Sequence, residues 1–171
     1  MSNLKDKVAL IGMPGCGKST LGRVLAKELN YNFYDMDAYI ESISNRTVQE
    51  LINESEDLFR DWETKACKEL AEKKRVIIST GGGVVKRKEN VAILKEECVI
   101  LFIDRPIESI AEDVDISSRP LLKDGKEKLY TLYSERYELY KNAADVRIAN
   151  NGFIKEAVNS SKKMLKNMIK E

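Results

Sequence analysis

The run Gly12-Met13-Pro14-Gly15-Cys16-Gly17-Lys18-Ser19-Thr20 satisfies the pattern G-x-x-x-x-G-K-[ST] directly after the apolar stretch Val8-Ala9-Leu10-Ile11. Glycines let a backbone curl until successive N–H groups point into one concavity, and a helix beginning behind them adds its positive end. Such a loop cradles phosphate, with Lys18 neutralising charge and the Ser19 hydroxyl available to Mg²⁺. A strand must lead into the loop and a helix must leave it. Leu21, Val24, Leu25 and Leu29 recur at helical spacing and meet the second requirement. A plain glycine-rich turn would account for the glycines but not for the Lys-Ser pair behind them.

Other groups along the chain carry acid–base or anion-binding potential. Asp35-Met36-Asp37 follow the second apolar run, and residues two apart on an extended chain face the same way, so both carboxylates can line one crevice. One would then hold Mg²⁺ and the other accept a proton; alternatively, one of them merely caps a helix beginning at Ala38, which would account for Asp37 but not for the pair. Glu56, Arg60 and Glu63 share one helix face, which by itself reads as a solvated ion-pair ladder. Gly81-Gly82-Gly83 carry an entropic cost that suggests backbone closely approached by another group, although a flexible turn is the simpler reading. On a helix near 126–143, Leu129, Leu132, Tyr133, Tyr137 and Tyr140 form an apolar stripe with Arg136 inside it. A guanidinium there needs an anion, unless it snorkels past the tyrosines to water. Cys16 lies near a helix start, where a thiol pKa can fall, or is simply a small residue that fits the loop.

Strand-like apolar runs at about 5–11, 31–34, 75–79, 98–103 and 145–149 alternate with helical stretches, which predicts an α/β fold with a parallel sheet between helical layers. Val76-Ile77-Ile78 and Val99 to Ile103 are nearly all apolar and are expected at the centre. The 171 residues suit one core and one domain. A helical insert over roughly 37–72 and a polar stretch at 114–125 are expected as covers over the nucleotide end. Near the carboxyl terminus, a helix over about 153–170 is expected to pack through Ile154, Val158, Met164, Leu165, Met168 and Ile169.

Composition excludes several classes of function. Lys plus Arg number 29 against 28 Asp plus Glu, a balance of +1 that gives no electrostatic case for nucleic acid or an anionic membrane. The absence of histidine removes Ser-His and Cys-His hydrolase mechanisms and leaves acid–base work to Asp, Glu or Lys. Cys16, Cys67 and Cys98 are widely spaced and outside any C-x-x-C pattern, which predicts reduced thiols in a cytoplasmic protein. Neither a signal peptide nor a membrane span is expected.

Together, the phosphate loop, Asp35-x-Asp37, Phe59-Arg60-x-x-Glu63, Gly81-Gly82-Gly83, Arg119-Pro120-Leu121-Leu122 and Arg136-x-x-x-Tyr140 resemble the shikimate kinase family over nearly the whole chain. The resemblance implies a P-loop kinase of three α/β/α layers, with a five-stranded parallel sheet in order 2-3-1-4-5, a substrate-binding insert (37–72) and a lid (114–125) within one domain, 1–171. It implies transfer of the ATP γ-phosphate to the 3-hydroxyl of shikimate in chorismate and aromatic amino acid biosynthesis, with Mg²⁺ as cofactor. The implied ATP contacts are Gly12, Gly15, Cys16, Gly17, Lys18, Ser19, Thr20 and Arg119. Ser19 and Asp35 would bind metal, and Lys18, Asp37 and Arg119 would be catalytic. Asp37, Arg60, Glu63, Gly81, Gly82, Gly83 and Arg136 would hold shikimate, in a monomeric enzyme whose partners are small molecules. In that family a basic residue usually stands seven positions before the lid arginine; here it is Glu112, which predicts a weaker or less selective purine site. Gluconate kinases, nucleoside monophosphate kinases and a non-catalytic nucleotide-binding module are the rival readings.

Overall fold

Five strands, β1 (Lys7–Ile11), β2 (Asn32–Asp35), β3 (Val76–Ser79), β4 (Val99–Asp104) and β5 (Val146–Ala149), form one parallel sheet in the order β2-β3-β1-β4-β5. The computed structural model describes residues 3–113 and 125–171; apart from Gly125, the expected lid, with Arg119, lies outside them. Burial explains the order of the strands. Val8 to Ile11 of β1 are fully inaccessible, and β3 and β4 are buried along their whole length, so all three need cover on both faces. β1 sits between its two apolar neighbours, with Val8 opposite Ile77 on one side and Val99 on the other. The more polar β2 and β5 take the edges.

The helices are α1 (Lys18–Leu29), α2 (Met36–Ser44), α3 (Val48–Glu54), α4 (Glu56–Ala71), α5 (Lys88–Glu97), α6 (Ile107–Asp113), α7 (Lys126–Ala143) and α8 (Ile154–Leu165). α1 buries Leu21 and Leu25, but Val24 lies on its outer side and is exposed, contrary to the sequence expectation. The expected insert is α2, α3 and α4, joined by tight caps. Thr47 and Glu50 form a reciprocal capping box at the start of α3, and the Ser55 hydroxyl accepts from the Leu58 N–H at the start of α4. These caps turn the chain so that the face of α4 carrying Phe59, Arg60 and Glu63 points inward. α8 ends earlier than expected, and the chain then returns so that Ile169 bridges to Lys5. Val158, Leu165 and Ile169 are buried as expected, whereas Met164 is exposed.

Candidate active site

The phosphate loop lies between β1 and α1, at the carboxyl end of the strand where the sheet order reverses. Open parallel sheets bind ligands at that crevice. Gly17 has φ +100°, and a Cβ there would stand 2.7 Å from the Asn150 side-chain amide, so no other residue fits. Asn150 itself holds the loop in place: its Nδ2 donates to the Cys16 carbonyl at 2.8 Å, and its backbone N–H donates to the Asp104 carbonyl at 2.9 Å. Lys18 is buried and folds back, with Nζ donating to the carbonyls of Gly12 at 2.8 Å and Met13 at 3.0 Å. Cys16 is also buried, its Sγ 3.7 Å from Lys18 Nζ, which favours a packing role over an accessible reactive thiol.

Ser19 Oγ donates to Asp35 Oδ2 at 2.7 Å and stands 2.9 Å from Ser79 Oγ. The other Asp35 oxygen accepts from the Ala38 N–H at 3.1 Å, so Asp35 caps α2. One of the two aspartates thus does cap the helix, but it is Asp35 rather than Asp37: the helix starts at Met36, and Asp37 belongs to its first turn. Asp37 and Asp35 nevertheless line the same cavity. Asp37 is exposed on the wall of that cavity, with protein packed around its carboxyl. This desolvation, with repulsion from Asp35 and Glu63 outweighing the attraction of Lys18, pushes its pKa up to about 6.

Farther along the cavity, the expectation of a solvated ladder fails for two of its three members. Arg60 and Glu63 are buried and joined at 3.0 Å, while Glu56, half exposed, reaches Arg60 at 3.3 Å and Lys86 at 2.8 Å from the rim. Burial pushes the Glu63 pKa up, against the pull of Arg60 and Arg136. Arg136 does not snorkel. It is 3% exposed, and its Nε and Nη1, with Arg60 Nε and Glu63 Oε2, have no hydrogen-bond partner among the described residues. Two buried guanidiniums thus stand beside the fully buried carboxylate of Glu63 at the wall of the cavity.

The three glycines after β3 are explained by their neighbours. A Cβ on Gly81 would stand 2.7 Å from Glu63 Oε2, one on Gly82 would stand 2.8 Å from the Pro14 ring, and one on Gly83 would overlap the Arg60 guanidinium. The whole cavity measures about 610 Å³, a volume usual for small-ligand sites. It runs from Lys18, Ser19 and Thr20 past Asp37 to Arg60, Glu63 and Arg136. Gly15, Gly17 and Gly81 to Gly83 also line it, with Gly12 and Cys16 buried just beneath.

Sequence reasoning missed the roles of Ser79, Asn150 and Arg105. Each stands at or just after the end of an apolar run, which was the available signal. Arg105 lines the cavity, donates to the Gly15 carbonyl at 3.0 Å and pairs with Asp113. Glu112, on α6, is exposed.

The shikimate kinase family model matches residues 14–166. A shikimate kinase from Clostridium beijerinckii is 57% identical over 95% of this chain and 96% of its own length, and one from Clostridium botulinum strain Alaska E43 is 51% identical over 96% and 99%. Among solved structures, the shikimate kinase of Acinetobacter baumannii in complex with shikimate superimposes with a TM-score of 0.88 at 30% identity, covering 96% of this chain and 95% of that one. The likeness extends from the phosphate loop through the buried arginines to α8, and the chain belongs to the shikimate kinase family.

Proposed function

We propose that the protein transfers the γ-phosphate of ATP to the 3-hydroxyl of shikimate, giving shikimate 3-phosphate, and that the cavity divides into a phosphate end and an acceptor end. The observation that carries this reading is Arg136: a buried guanidinium with two nitrogens unpartnered among the described residues, beside Arg60, opening onto the cavity that the phosphate loop begins. Leaving such a charge unpaired is costly, and a carboxylate matches its planar fork. Arg60 and Arg136 therefore grip the shikimate carboxylate, and Glu63 holds Arg60 in place. The Gly81–Gly83 backbone and Asp37 take the ring hydroxyls.

Asp37 accepts the proton of the attacking hydroxyl. A pKa near 6 leaves it ionised at neutral pH while making it more basic than an ordinary carboxylate. Lys18 leaves its loop carbonyls for phosphate oxygens, and the loop N–H groups hold the rest of the chain of phosphates. Mg²⁺ fits the donor set, because a hydroxyl and a carboxylate joined at 2.7 Å are hard oxygen ligands of the kind it takes alongside phosphate and water. Ser19 would hold it directly and Asp35 through water; when bound it neutralises charge on the phosphates. Arg119 keeps the role that the family resemblance implies. The protein works as a monomer in the cytoplasm in this reading; no helix among the described residues is long and apolar enough to cross a membrane.

ADP release with MgATP and shikimate, gluconate, AMP or no acceptor tests the proposal. Shikimate-dependent release that Arg136→Ala abolishes supports it. Release only with gluconate or AMP overturns the acceptor, and none with any acceptor, despite nucleotide binding, favours a non-catalytic module.

A further inference from the structure

Tyr140 belongs to the Arg136-x-x-x-Tyr140 motif, yet the division of labour above gives it nothing to do. It is fully buried on α7, with its ring stacked on Phe102 at a centroid distance of 5.2 Å. Its hydroxyl donates to the Gly82 carbonyl at 2.5 Å and lies 3.8 Å from Met13 Sδ in the phosphate loop. Burial raises its pKa, so the phenol keeps its proton and remains a donor.

The hydrogen bonds around the glycine turn make this contact informative. The Gly81 carbonyl accepts from the Val84 N–H and the Gly83 carbonyl from the Lys86 N–H, both at 3.1 Å. With Tyr140 on Gly82, all three carbonyls are taken by protein. The N–H groups of Gly81, Gly82 and Gly83 donate to no protein acceptor among the described residues, which leaves them for a ligand. A trans peptide points its C=O and N–H in opposite directions, so fixing the Gly82 carbonyl on α7 also fixes the Gly83 N–H away from it. On its other side, Gly82 packs so closely on the Pro14 ring of the phosphate loop that a Cβ there would stand 2.8 Å from it. Tyr140, Gly82 and Pro14 thus form a stack from α7 through the acceptor turn to the phosphate cradle.

We propose that Tyr140 is a positioning residue whose hydroxyl holds the glycine turn against the phosphate loop and so sets the placement of the acceptor hydroxyl relative to the transferring phosphate. The inference rests on the acceptor lying against Gly81–Gly83. Misplacing reacting groups by about an ångström costs up to about a hundredfold in rate. Losing the hydroxyl should therefore damage turnover and acceptor binding while sparing the nucleotide.

The test compares wild type with Tyr140→Phe, which keeps the ring stacking. It measures kcat, KM for shikimate and for ATP, MgADP affinity by calorimetry, and melting temperature. The expected result is a kcat lowered about tenfold or more with a raised KM for shikimate and unchanged MgADP affinity. A lower melting temperature with wild-type kcat and shikimate KM would mean a purely structural hydroxyl and overturn the proposal, as would equal losses of acceptor and MgADP affinity. Should Tyr140→Phe not fold, Gly82→Ala decides: its Cβ must part the turn from Pro14, so the same split is expected, and wild-type constants there overturn the proposal. Wild type that turns over no shikimate would refute the proposed function itself, a result separate from any failure of the variants.

Discussion

The two ends of the cavity handle charge in opposite ways. At the phosphate end the charged groups among the described residues are already satisfied by protein: Lys18 rests on two loop carbonyls, and Asp35 accepts from Ser19 and caps α2. At the acceptor end four buried polar atoms, on Arg60, Glu63 and Arg136, lack partners among the described residues. The phosphate end must exchange protein contacts for nucleotide contacts and relies on backbone N–H groups that no side-chain change removes. The acceptor end instead carries two guanidiniums against the buried Glu63, with donor atoms still unpartnered among the described residues and desolvated on folding, so a ligand carboxylate would gain most of the attraction. Under the proposed function, recognition of the acceptor would depend on a few side chains and cost stability, whereas recognition of phosphate would depend on loop shape.

The sharpest way to break this contrast is Arg136→Met. It should cost about 3–4 kcal/mol of transition-state binding to shikimate, a few hundredfold in kcat/KM, while the melting temperature stays the same or rises because a buried unpaired guanidinium has gone. Parallel loss of activity and of melting temperature would erase the contrast. Asp37→Asn should lower kcat about 10²- to 10⁴-fold and leave MgADP binding intact. The same residue sets a pH dependence. Its pKa is raised from 3.8 to about 6, so the native state holds this proton more tightly than the unfolded chain does. Its contribution to stability therefore declines as pH rises through that window, and kcat/KM for shikimate, which reports the free protein, declines as pH falls through about 6. Asp37→Asn should flatten the stability profile between these limits, read by thermal melts across pH. Gly83→Ala places a methyl against the Arg60 guanidinium and should raise KM for shikimate about tenfold with little change in KM for ATP. The smallest effect is expected at the purine side: Glu112→Arg should lower KM for ATP about threefold by offering a cation to the base, and an unchanged or higher KM would remove that idea.

The same contrast decides what could be read from the sequence. The phosphate end was legible because its chemistry is local: loop, lysine and hydroxyl are consecutive, and the strand and helix that hold them have clear apolar patterns. Central β3 and β4 were equally plain, since strands covered on both faces have no polar side to disguise them. At the acceptor end, spacing places Arg60 and Glu63 on one face of α4, but whether that face meets water depends on the glycine turn and α7, which are distant in sequence. For the same reason Arg136 stayed undecided between burial and snorkelling until packing excluded water. That the helix starts at Met36 rather than Ala38, with Asp35 as its cap, was not legible, because propensity alone does not fix a helix boundary. Tyr140 and Gly82 are 58 positions apart, and a single hydroxyl-to-carbonyl bond over that distance leaves no periodic trace.

The central claim, that the buried arginine pair selects a carboxylate acceptor, is tested most directly by comparing kcat/KM for shikimate and its methyl ester in wild type and Arg136→Met. The account predicts a loss of about a hundredfold or more for the ester in wild type, shrinking to a small ratio in the variant. An ester used as well as the acid by the wild-type protein would contradict it.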